Sequence, residues 1–137
     1  MDKPIGYWIK KLDAALEAQL DYTLARIKLS RAQWQALNAL GEAPLRPEEL
    51  DAVLRPYWTD AAHQRERDLA ALVGRGLLSM MDERLVLTER GRETYHQAMR
   101  LVEATRQDLS LGIGIDEYAM AVSVLQRMSI NAERLSR

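Results

Sequence analysis

The chain has 137 residues, no cysteine and a net charge of −1, with 47% apolar and 28% charged residues. This is globular composition at the length of one domain; it excludes disulfides, thiolate metal sites and sensing by thiol oxidation. No apolar run approaches the roughly 18 residues of a membrane span, and the N-terminus, MDKPIGYWIKKLDAA, lacks the apolar stretch of an export signal, so a cytoplasmic location is expected.

From Tyr7 to about Leu29, residues Trp8, Ile9, Leu12, Leu16, Leu20, Leu24 and Ile27 recur at three- and four-residue steps, which predicts a long amphipathic helix. Ser30 and Gln33 then form a capping box flanked by Leu29 and Trp34, a hydrophobic staple; the helix they open should stop at Gly41. Pro47, Glu48 and Glu49 suit a helix N-terminus, and Leu50, Val53 and Leu54 supply the buried side of that short helix. Arg55-Pro56-Tyr57-Trp58 breaks it, and Thr59 is placed to cap the next helix, so residues 47 to 75 read as helix, turn, helix.

In that second helix Ala62, Leu69, Leu72 and Val73 fall on one side, while Asp60, His63, Gln64, Arg67 and Ala71 fall on the other. Gly76 stands where a left-handed residue commonly ends a helix. The runs Leu77 to Met80 and Leu85 to Thr88, around Asp82-Glu83-Arg84, predict a two-stranded hairpin. Thr88 opens a long helix with a stripe of Tyr95, Ala98, Val102, Thr105 and Leu109. Residues 111 to 114 interrupt it, Asp116 is the expected cap of the last helix, and Val122, Leu125, Ser129 and Ala132 form its stripe, ending near Leu135. The apolar faces of the terminal helices exceed what a lobe of about 60 residues covers, so a homodimer is expected.

Chemistry is thinly represented. There is no HExxH, GxSxG or phosphate-loop motif, and Gly112-x-Gly114 lies between helices instead of after a strand, so neither an enzyme nor a cofactor is expected. His96, with one other His and no Cys in the chain, reads as a surface residue and not a metal ligand.

The order LAALVGRGLL, then Asp82-x-Arg84, then LVLTERGR resembles the DNA-binding half of the MarR family of winged-helix regulators. That family ends its recognition helix with L-x-x-L-x-x-x-G-L, carries D-x-R at the wing and opens the next helix with L-T-x-x-G. Only eleven residues, Leu77 to Leu87, separate Gly76 from Thr88, fewer than the family's wing usually has. The resemblance implies a mainly α fold with a small β-hairpin wing: one MarR-type domain over 1–137, its winged helix-turn-helix lobe at 30–92 and its dimerisation helices at 5–29 and 93–137. It also implies a minor strand near residues 42 to 45.

A homodimeric regulator reading a pseudopalindrome in double-stranded DNA, and repressing by occupancy, is the function so implied. Its DNA-binding set would be Thr59, His63, Gln64, Arg65 and Arg67 on the recognition helix, and Arg84 at the wing with Asp82 orienting it. Exposed polar residues are often merely solvated, so Arg67 pairing with Glu66, Asp68 or His63 is the bland alternative. Arg90 and Arg92 stand near phosphate reach but read as ordinary surface. The family's ligand pocket would be lined here by Trp8, Tyr22, Trp34 and Tyr57 and would take a small aromatic or phenolic molecule; against this, a chain without Phe needs Trp and Tyr as core volume. Residues 59 to 92 hold six Arg against six Asp or Glu, no broad basic footprint, which keeps a winged-helix protein-interaction module without DNA binding as the rival.

Overall fold

The computed structural model describes residues 2–55 and 62–137, the side chains of 62–65 excepted. Its elements run α1 (Ile5–Ala25), α2 (Arg31–Glu42), α3 (Pro47–Leu54), α4 (Ala62–Gly74), β1 (Leu78–Met81), β2 (Arg84–Leu87), α5 (Glu89–Leu109) and α6 (Ile115–Leu135). The Thr59 cap and the break at 56–58 lie outside the described residues. Two compact units divide the chain, residues 1–105 and 106–137. Among the described residues no helix is long and apolar enough to cross a membrane.

Capping chemistry sets most boundaries. The first helix stops at Ala25, short of the expected Leu29, because Lys28 turns left-handed at φ 58° while its N–H reaches Ala25 O and that of Leu29 reaches Leu24 O. This reversal satisfies the last carbonyls and buries Leu24 and Leu29 together in the core, with no glycine to announce it. The box at the start of α2 is complete: Gln33 N–H donates to Ser30 Oγ at 3.1 Å and Ser30 N–H to Gln33 Oε1 at 3.0 Å. Gly41 does not end α2, which runs on to Glu42. Its missing side chain instead makes room for the Tyr95 ring, 2.5 Å from where a Cβ would stand.

The core of the first unit is leucine rather than aromatic: Leu24, Leu37, Leu50, Leu54, Leu72 and Leu77 are the largest fully buried side chains. Of the described aromatic residues only Trp34 and Tyr95 join them, stacked with centroids 5.9 Å apart; Tyr7, Trp8, Tyr22 and Tyr118 are exposed. Tyr95 docks α5 on α2, stacking on Trp34, donating its hydroxyl to Asn38 Oδ1 at 3.3 Å and lying over Gly41. Positions 34, 38 and 41 recur at four and three residues, so one face of α2 receives it. Thr23 and Thr105 join α1 to α5 at 3.1 Å; since Thr105 gives its only hydroxyl proton to Leu101 O, Thr23 is the donor between them.

β1 and β2 pair antiparallel with Leu78 opposite Leu87 and Met81 opposite Arg84, leaving a two-residue turn. Both turn residues, Asp82 and Glu83, are left-handed at φ 52° and 65°, as a type I′ turn demands. Leu45 adds a third, single-residue rung: its N–H donates to Leu85 O and it accepts from Leu85 N–H at 2.7 Å. Thr88 caps α5, accepting from Gly91 N–H at 2.9 Å and donating its hydroxyl to Gly76 O at 2.6 Å. The last helix begins one residue before the expected cap: Glu117 Oε1 accepts Gly114 N–H at 2.9 Å, and Asp116 lies in the first turn.

Two glycines and one turn residue make this testable. A Cβ on Gly91 would collide with the Leu77 carbonyl, whereas one on Gly74 meets nothing within 4 Å. Gly91→Ala should therefore cost about 1–3 kcal/mol, and Gly74→Ala should stabilise by up to about 1 kcal/mol; the reverse ranking in chemical denaturation would refute the packing described. Glu83 bears a left-handed cost of about 1 kcal/mol that glycine would not. Glu83→Gly should raise the melting temperature by about 2–4 °C in a chain of this size, and a lowered Tm would show that the turn is not as described.

Candidate nucleic-acid interface

The residues at issue sit on α3, α4 and the hairpin. Pro47 occupies the first position of α3, Glu49 Oε1 accepts Arg46 N–H at 2.9 Å, and Leu50 and Leu54 face the core. Val53, expected beside them, is 48% exposed at the edge of that stripe.

Among the described side chains of α4 the fully buried one is Leu72, with Leu69 and Asp68 half-buried on either side. At about 100° per residue this centres the buried stripe on Leu72 and puts Val73 about 100° from its middle. Val73 is accordingly 50% exposed, a correction to its expected place on the apolar side. Gln33 holds the helix from outside: its Nε2 donates to Asp68 O at 3.2 Å while its Oε1 serves the α2 capping box. One buried amide thus closes one helix and anchors another, a second role that the capping motif does not announce.

Arg67 lies five residues before Leu72, about 140° round the helix, and is exposed. His63, Gln64 and Arg65 belong to α4, their side chains outside what is described, and Thr59 and Tyr57 lie outside the described residues altogether. Arg84 is exposed at the first position of β2, directly across from the exposed Met81. Asp82 is the first residue of the turn, left-handed at φ 52°, two positions before Arg84. Arg90 and Arg92 are exposed at the start of α5. The structure therefore brings Arg67, on α4, and Arg84, on β2, to the surface.

Of the aromatic ligand set, Trp34, Trp8 and Tyr22 fall within the described residues. Trp34 is 8% exposed and engaged with Tyr95. Trp8 and Tyr22 are exposed on α1, fourteen positions and hence about 21 Å apart along its axis.

Arg75 is a residue that sequence reasoning missed. Its guanidinium donates to Lys28 O at 2.7 Å and Ile27 O at 3.4 Å, although beside Gly76 it reads as an ordinary basic residue near a helix end.

No protein-family model and no curated protein matches the sequence. Solved structures do. The reduced form of MarR from E. coli superposes with a TM-score of 0.72 at 24% identity, over 93% of this chain and 95% of that one. A Mycobacterium tuberculosis MarR family protein in complex with DNA gives 0.74 at 20% identity, over 93% and 98%. A MarR family transcriptional regulator from Silicibacter pomeroyi gives 0.66 at 23%, over 92% and 88%. With six helices and a two-stranded antiparallel hairpin among the described residues, and with these likenesses over most of its length, the chain has the winged-helix fold of the MarR-family regulators.

Proposed function

We propose that this protein is a transcriptional regulator that binds double-stranded DNA in a sequence-specific way as a homodimer and represses by occupying a pseudopalindromic operator. The observation that carries this reading is the likeness, over 93% of the chain, to a MarR family protein solved in complex with DNA. In such a complex α4 enters the major groove, where Arg67 is our candidate for a guanine edge, with Thr59, His63, Gln64 and Arg65 beside it. Arg84 on the wing would address the flanking minor groove, whose negative potential rises where A·T tracts narrow it. With no cysteine in the chain, the inducing signal is a small molecule and not thiol oxidation.

Dimerisation is supported by the second unit. None of the residues of α6 is buried within the single chain, and Leu111, Ile115, Ile130 and Leu135 are among its exposed neighbours and members. A helix with Val122, Leu125 and Met128 along one side and no cover of its own has apolar surface that a second copy would bury. The protein should sediment as a dimer at micromolar concentration. Val122→Glu or Leu125→Glu should yield aggregated or unfolded protein, and a stable wild-type monomer would remove this part of the reading.

The rival, a winged-helix module that binds protein only, is favoured by one observation: the wing tip is Asp82-Glu83, two carboxylates where phosphate would approach. Salt separates the two readings. DNA affinity should fall steeply and log-linearly with salt as phosphate contacts release counterions, and its absence at low salt would favour the module. Arg67→Ala should cost about 1–3 kcal/mol of specific binding. Arg84→Ala should weaken A·T-rich duplexes more than G·C-rich ones; equal binding to both, at parental strength, would mean that recognition rests on the helix alone.

A further inference from the structure

One guanidinium, just past the end of α4, lies on the carbonyls that close α1. At the end of α1 the chain reverses through Lys28, and at the end of α4 it reverses the same way through Gly76 at φ 75°, with Gly76 N–H on Val73 O at 2.9 Å and Leu77 N–H on Leu72 O at 3.0 Å. Helix ends of this kind present carbonyls of partial negative charge, and neither last turn contains a basic residue to offset it. Arg75, just past α4, supplies the charge across a separation of 47 residues: Nη1 donates to Lys28 O at 2.7 Å and Nη2 lies 3.4 Å from Ile27 O. A planar fork suits two adjacent carbonyls as a single ammonium does not.

From this geometry we propose that Arg75 is a positioning residue, fixing the C-terminal end of α4 to the end of α1 and thereby setting the angle at which α4 is presented to DNA. The inference rests on the DNA-binding reading above. Its force comes from a second anchor. Gln33 holds α4 at Asp68 O, seven residues earlier and thus about 10 Å along the axis. A helix held at one point pivots; held at two, its axis is defined. Both anchors come from the corner between α1 and α2, Gln33 reaching out from it and the Ile27 and Lys28 carbonyls receiving Arg75 within it. Any displacement of the end of α1 is therefore transmitted to the recognition helix.

The test compares Arg75→Met, which keeps the apolar stem, and Arg75→Lys, which restores one donor, with the parent protein. Amide hydrogen exchange without DNA is read alongside affinity, over a salt series, for a duplex recovered by selection from a random pool and for a random duplex. In Arg75→Met, exchange should quicken at residues 26–29 and 73–77 but not in the wing or α5. Affinity for the selected duplex should fall about tenfold, with random-duplex affinity and salt slope unchanged, and Arg75→Lys should recover much of the loss. Unchanged exchange at those residues would overturn the proposal, as would uniform loosening of the whole lobe, which assigns Arg75 to general stability. A salt slope reduced by about one unit with weaker random-duplex binding would make Arg75 a phosphate contact instead, and equally overturn it. Should Arg75→Met fail to fold, Arg75→Lys bears the same comparison. If the parent binds no duplex at all, the DNA reading fails, and the exchange pattern still decides whether the clamp exists.

Discussion

The winged lobe depends on the close approach at Leu77. Its N–H closes the reversal that ends α4, its side chain is 2% exposed in the leucine core, and its carbonyl accepts Thr88 N–H while Gly91 lies against it. Helix α4, the hairpin and α5 are therefore joined through one peptide unit, and the approach is possible because position 91 has no Cβ. Thr88 closes the joint from the other side with its hydroxyl on Gly76 O. The spacing of threonine and glycine that marks the start of α5 is thus a packing requirement with two separate causes, a cap and a close contact, and it would hold whether or not the lobe binds DNA.

A second constraint places the recognition helix. Leu72 sets its rotation by burial, and polar bonds at Asp68 O and at the end of α1 set its direction. Burial alone would leave the helix free to roll and pivot over a leucine surface, since dispersion contacts are weakly directional. Hydrogen bonds to fixed carbonyls are directional, and here they are made by long side chains reaching between elements far apart in sequence. Readout of base edges needs this kind of placement, because bidentate contacts tolerate little misorientation.

Much of this architecture was legible in the residues, wherever a local rule had one physical outcome. Ser30 with Gln33, Pro47 with its acids, and Gly76 at a helix end each marked a boundary that the structure shows. Reversal at Lys28 and the left-handed pair Asp82-Glu83 were not legible as such, since tertiary packing holds non-glycine residues where local preference argues against them. Gly41 illustrates the opposite error: glycine near a helix end suggested a stop, whereas the ring of Tyr95 was the reason. Val73 was misplaced because an alanine, two leucines and a valine define a stripe about 100° wide without saying which residue is its centre. Of the candidate site, the surface position of Arg67 followed from periodicity and that of Arg84 from the hairpin and its likeness to the family's wing, but the anchors Gln33 and Arg75 could not be found, because nothing local links residue 33 to 68 or 75 to 28.

What the account claims most strongly is that this near-neutral lobe reads a DNA sequence with two copies of α4. A net charge of −1 and an acidic wing tip mean that specific contacts, and not a general basic surface, must carry the binding. Repeated selection of bound duplexes from a random pool at low salt tests this most directly. The account predicts enrichment of an inverted repeat whose half-sites lie about one helical turn, roughly 10 base pairs, apart or a multiple of it. Failure to enrich any sequence over successive rounds, from protein shown to be folded, would contradict it.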